Sequence, residues 1–246
     1  MKRRIVVAWA GAALVLVGCG APVEGPKGDE ARQDGGWMVS PRITAVERED
    51  AGLVVRGDAS PGARVVLRGD QDVAFAAGTD DAGRFELQIG APASAMLLTP
   101  EVQIGQFPAT GPEQLILAGD KGDLAALVVE GGASRRLSAG PALDSVDGDG
   151  RGLVVAGRAR PGATVAVAAE GGAAIEAVAD SGGRWTAALP NVGDRPVRIT
   201  VGGASFAYPG PAGTASVGLI ERSGAGWRLT RLLSPSARQT SWFPDL

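Results

Sequence analysis

An internal repeat at a gap-free offset of 100 residues constrains this chain more than any other feature. Gly52-Leu53-Val54-Val55 returns as Gly152-Leu153-Val154-Val155, and Gly57, Ala59, Pro61, Gly62, Ala63 and Val65 return as Gly157, Ala159, Pro161, Gly162, Ala163 and Val165. Asp80, Gly83 and Arg84 match Asp180, Gly183 and Arg184, with Phe85 answered by Trp185; upstream, Pro41 and Val46 match Pro141 and Val146. Further along the match thins, although Phe107 with Gly111-Pro112 can be set against Phe206 with Gly210-Pro211. Self-similarity at a fixed period means that one supersecondary unit is used more than once. The chain is therefore expected to hold two related units, residues 39–138 and 139–233, with a C-terminal tail at 234–246.

Each unit reads as β-structure. Leu53-Val54-Val55, Arg64-Val65-Val66-Leu67 and Arg84-Phe85-Glu86-Leu87-Gln88-Ile89 are short runs rich in β-branched or alternating apolar residues. Pro-Gly, Gly-Asp and Ala-Gly turn signals bound them. In the last run Phe85, Leu87 and Ile89 fall on one face, as the two-residue period of a strand requires. Two later runs, 115–118 and 124–129, flank Gly119-Asp120-Lys121-Gly122-Asp123, an expected hairpin loop. The second unit repeats the idea with Val217 to Ile220, Ser223-Gly224-Ala225-Gly226 and Trp227 to Leu232. No segment after Cys19 keeps a helical period. The expected fold class is all-β, two tandem β-sandwiches after a signal peptide and a flexible linker.

The residues also carry a resemblance. Gly57-x-Ala59-x-Pro61-Gly62-Ala63-x-Val65 followed by Asp80-Asp81-Ala82-Gly83-Arg84-Phe85 resembles bacterial immunoglobulin-like repeats of surface and envelope proteins. Residues 157–165 and Asp180-Ser181-Gly182-Gly183-Arg184-Trp185 carry the pattern again. The motif is turn chemistry: Pro-Gly bends the chain after one strand and Asp-x-x-Gly turns it before the next. It implies an immunoglobulin-like sandwich and is silent on activity. It covers the first half of each unit, leaving open a standard sandwich or one with an extra hairpin.

Ahead of the repeats, Met1-Lys2-Arg3-Arg4 and the uncharged apolar run from Ile5 to Val17 have the layout of an export signal. The run is shorter than the roughly 20 residues of a spanning helix. Leu16-Val17-Gly18-Cys19 resembles the lipobox of bacterial prolipoproteins. That resemblance implies cleavage after Gly18 and acylation of Cys19, and each buried methylene contributes about 0.8 kcal/mol to anchoring. With Gly20 rather than Asp after the cysteine, it further implies the outer membrane, facing the periplasm, within the cell envelope. Residues 1–18 are the expected signal peptide. Residues 19–38, poor in large apolar side chains, are the expected tether.

Composition narrows the chemistry. The chain has 24 basic and 27 acidic residues; loss of Lys2, Arg3 and Arg4 with the signal leaves 21 against 27, a net charge of −6. Nucleic acid, which needs a basic face, is not an expected partner. Histidine is absent and Cys19 is the single cysteine, which removes the usual general base, the His-containing triads and the common zinc ligands. Neither a P-loop nor a dinucleotide fingerprint occurs. No catalytic residue, cofactor or enzymatic activity is expected.

Two further sets of residues stand out. Asp144, Asp147 and Asp149 in Asp144-Ser145-Val146-Asp147-Gly148-Asp149-Gly150 form a weak calcium candidate, since closely spaced carboxylates suit a hard cation. Against it stand the missing distal glutamate and the acidic turn at the equivalent place in the first unit, Glu47 to Asp50. Trp242 and Phe243 near the C-terminus have no counterpart inside the repeats and are candidates either for packing on a sandwich edge or for docking a partner. Trp185 and Trp227 are expected in cores. Arg68-Gly69-Asp70 is expected in a turn, and Arg56-Gly57-Asp58 in a strand. The partners implied are a membrane, through lipidated Cys19, and another envelope protein; glycan is the alternative, disfavoured by the scarcity of aromatic residues.

Overall fold

A computed structural model describes residues 39–50, 52–104, 107–120, 123–211 and 217–246. The expected signal peptide, Cys19 and the tether lie outside the described residues. Residues Met38–Leu246 form one compact unit, all β, with twenty strands and no helix among the described residues.

The first repeat runs β1 (Arg42–Glu49), β2 (Gly52–Asp58), β3 (Arg64–Arg68), β4 (Ala74–Gly78), β5 (Arg84–Gly90), β6 (Met96–Ile104) and β7 (Phe107–Thr110). The second runs β11 (Leu143–Gly148), β12 (Gly152–Arg158), β13 (Thr164–Ala169), β14 (Ile175–Val178), β15 (Arg184–Pro190), β16 (Val197–Val201) and β17 (Ala204–Tyr208) in the same order. Between them lie β8 (Glu113–Ala118), β9 (Leu124–Val129) and β10 (Arg135–Arg136); after them come β18 (Ile220–Arg222), β19 (Gly226–Ser234) and β20 (Ala237–Pro244).

The repeat extends to irregularities of the backbone. β1 and β2 slip register between Ile43 and Ala45, and β11 and β12 slip between Leu143 and Ser145. In both copies the Pro-Gly bend places glycine at positive φ, 68° at Gly62 and 74° at Gly162, with Ala63 and Ala163 donating backward to Ser60 and Arg160. Proline then glycine at positive φ is the demand of a type II turn. In the Asp-x-x-Gly turns, Asp80 Oδ1 accepts from the backbone N–H of Ala82 and Arg84, and Asp180 Oδ1 from those of Gly182 and Arg184.

In the first repeat a three-stranded sheet β1-β2-β5 faces a seven-stranded one ordered β10-β9-β8-β6-β3-β4, with β7 on β6. Ile43, Val55, Val65, Leu67, Phe85, Leu87 and Ile89 form the core between them. In the second, β15-β12-β11-β20-β19-β18 faces β14-β13-β16-β17 around Leu143, Val155, Val167, Trp185, Ile199 and Tyr208. The extra hairpins join opposite sheets. β8 adds to β6, Met96 to Leu98 pairing with Leu115 to Leu117, whereas β20 adds to β11, Val146 opposite Trp242.

These additions build a third core. Along β8 and β9, Leu115, Leu117, Ala125 and Leu127 face the first repeat's interior. Their neighbours Ile116, Ala118, Leu124, Ala126 and Val128 face the other way and meet Leu229 and Phe243 of the second repeat. Strand alternation thus sends the apolar residues of 115–118 and 124–128 to one core or the other, and the repeats share buried surface. The boundary expected at 138 separates sequence copies, and a common core bridges it. The expected tail at 234–246 is mostly β20, paired on both sides with β11 and β19.

Candidate functional site

Cys19, the expected lipidation site, lies outside the described residues. The remaining sequence candidates converge where the connection between repeats meets β11 and β20.

Trp242 is 1% exposed and Phe243 fully buried, so the docking role considered for them gives way to packing. Successive residues of a strand point to opposite faces. Trp242 enters the second repeat's core, its ring edge-on to Tyr208 at 5.8 Å and its Nε1 donating to the Ser223 carbonyl at 2.9 Å. Phe243 enters the shared core. Trp185 is buried as expected, 2% exposed. Trp227 packs partly buried against the shared core with the Arg222 guanidinium 5.1 Å from its ring centre.

The three carboxylates of the calcium candidate serve three separate sets of partners, and among the described residues no three acidic side chains group around a metal position. Asp149 Oδ1 accepts from the backbone N–H of Arg151 and Gly152 at 2.8 and 3.2 Å, closing the β11–β12 turn. Those bonds hold its carboxyl below the usual carboxylate range. Asp144, buried at the start of β11, accepts from Arg158 Nε at 2.8 Å. Burial pushes its carboxyl up, against the pull of Arg158.

Asp147 is the centre of a buried polar network. Its oxygens accept from Ser134 N at 2.8 Å, Ser134 Oγ at 2.6 Å, Ser145 Oγ at 2.9 Å, Gln239 Nε2 at 3.3 Å and Ser241 Oγ. Gln239 Nε2 also donates to the carbonyls of Val129 and Gly132, and its Oε1 accepts from Gly131 N at 2.9 Å. One carboxylate thus ties the turn after β9 to β11 and β20. Hydrogen donors fill its oxygens, which satisfies a buried charge and leaves them no lone pair for a cation. Burial pushes the Asp147 carboxyl up, partly offset by the bonds from Ser134 and Ser241.

Sequence reasoning missed this network because its members are spread from 131 to 241 and none forms a local motif. For the separate Asp144–Arg158 pair one signal was present: at the repeat offset, Asp144 stands against Thr44 and Arg158 against Asp58. The two RGD tripeptides divide as expected. Arg56-Gly57-Asp58 ends β2, and Arg68 ends β3, ion-paired to Glu101 at 3.0 Å, with Asp70 opening the turn to β4.

No family model and no curated protein matches the chain.

Proposed function

We propose that this protein is a non-enzymatic cell-envelope lipoprotein, anchored through Cys19 at the outer membrane and facing the periplasm. Its two immunoglobulin-like repeats then serve as a scaffold or protein-interaction module at that surface. The observation that carries the reading is Leu16-Val17-Gly18-Cys19 at the end of an uncharged apolar run, where the chain's single cysteine coincides with the expected cleavage point. The all-β fold fits a display role, since immunoglobulin-like sandwiches present loops and edges on a rigid frame. The absence of histidine from the sequence argues in the same direction.

Metabolic labelling with a palmitate analogue, followed by membrane fractionation, tests the anchor. The native chain is expected to be labelled and to sediment with membranes, and Cys19→Ser to be unlabelled and released with its domains folded. A Cys19→Ser chain that stayed membrane-bound would overturn the reading. In-cell crosslinking with mass spectrometry should then recover an envelope protein. Co-sedimentation of the chain with purified cell wall, without such a crosslink, would favour glycan instead.

A further inference from the structure

A cleft of about 360 Å³ opens where the connection between the repeats crosses the second one, with Arg135, Asp144, Gly157, Asp180, Arg184 and Trp185 among its walls. The size suits one small polar group rather than an extended ligand.

Its charge is built against the repeat template. In the first repeat Arg84 closes onto its own turn, Nε 3.0 Å and Nη2 2.8 Å from Asp80 Oδ2. In the second, Asp180 makes the same backbone bonds, but Arg184 leaves it and leans into the cleft. There its Nη1 stands 3.8 Å from Asp144 Oδ2, beyond hydrogen-bond reach. Asp144 is already committed to Arg158 at 2.8 Å. Arg135, also in the lining, is held by Glu113 at 2.9 Å. Arg184, Arg158 and Arg135 are each between a quarter and two fifths exposed, so none is sealed from solvent.

Arg158 and Arg184 therefore share Asp144 while Arg135 has its own partner in Glu113, and Arg184 makes no side-chain hydrogen bond among the described residues. Desolvation, with the charges of Arg135 and Arg158, pushes its pKa down against the pull of Asp144 and Asp180. Trp185 Nε1, in the same wall, is buried without an acceptor. A planar guanidinium presents paired N–H groups that match the two oxygens of a carboxylate or phosphate.

We propose that this cleft binds an oxyanion, a carboxylate or phosphate group, received by Arg184 with Arg135 in the same lining. The site does not depend on whether Cys19 is lipidated.

The purified full chain, titrated at constant ionic strength with inorganic phosphate and separately with succinate, tests this by calorimetry and tryptophan fluorescence. At least one probe is expected to saturate with a Kd of about 1 mM or tighter. Phosphate alone saturating assigns the site to phosphate, succinate alone to carboxylate. Arg184→Gln should weaken binding about tenfold or more, while Arg84→Gln, the first repeat's counterpart, leaves it unchanged. If Arg184→Gln lowers the melting temperature, Arg184→Lys, which keeps the charge and loses the planar fork, carries the same expectation of weakened binding. Failure of both probes to saturate, or equal binding by the Arg184 variants and the native chain, would overturn the proposal.

Discussion

Gly57 and Gly157 lie inside β-strands, where glycine weakens a sheet unless the missing Cβ is put to use. Each sits opposite the aromatic residue of its own repeat, Phe85 or Trp185. A Cβ at Gly57 would run into the Arg42 carbonyl and the Phe85 ring; one at Gly157 would run into the Ala142 carbonyl and the Trp185 ring. The glycine is the seat of the ring, which is why both members of the pair recur across the repeat. Gly157→Ala is expected to cost about 2–3 kcal/mol in urea unfolding. Gly78→Ala, at a strand end with open space around the added carbon, should change stability little. Asp147 provides a second residue-scale test. Its folded-state pKa is raised by burial, above an unfolded value of about 4. The group therefore favours the fold most at pH below that value, and the contribution is lost as pH rises through the folded-state value. Asp147→Asn cannot titrate, so the melting-temperature advantage of the native chain over this variant should shrink on going from about pH 4 to about pH 7. An advantage that grew with pH would show that hydrogen bonding outweighs burial at this site.

Elements differed in how openly the sequence declared them. β5 and β15 alternate cleanly, Phe85, Leu87 and Ile89 inward in one and Trp185, Ala187 and Leu189 in the other, and a period of two shows the buried face directly. The Pro-Gly and Asp-x-x-Gly turns were equally legible, because each needs a residue type that few positions tolerate. β8 and β9 were legible as strands but not in their attachment, since a run buried on both faces has no polar side to tell which sheet it joins. β20 was harder still. Gln239, Thr240 and Ser241 read as a polar tail until Asp147 supplies their buried context, and no counterpart in the first repeat announced Trp242. The candidate site fared likewise: Arg184 was legible only as part of its turn, Arg135 and Arg158 carry no motif, and the three gain meaning only where the fold gathers them. Trp242→Ala should lower stability by about 3–5 kcal/mol, measured by chemical denaturation. An unchanged melting temperature is the result a freely displayed tail would give.

The hairpin β8–β9 serves two cores at once, so the two repeats are expected to unfold together. Ala125 and Leu127 face the first core, Ala126 and Val128 the shared one. A charge at Ala126, buried and without a partner, should break the shared core while leaving the first repeat's own interior packed. Scanning calorimetry is expected to show one unfolding transition for the native chain and two for Ala126→Asp; a single transition in both would mean that the repeats are coupled by other contacts. The pairing of β20 with β11 sets the order of assembly as well. Val146 and Trp242 are partners across nearly a hundred residues of chain, and such distant pairings form slowly. A nascent chain that has emerged only as far as residue 230 has β11 paired with β12 but open on its other edge, and Phe243 is not yet present to cover the outer side of β8–β9. Until residues 237–244 arrive, the growing polypeptide displays an open strand edge beside a bare apolar surface, the combination that invites aggregation and recruits chaperones.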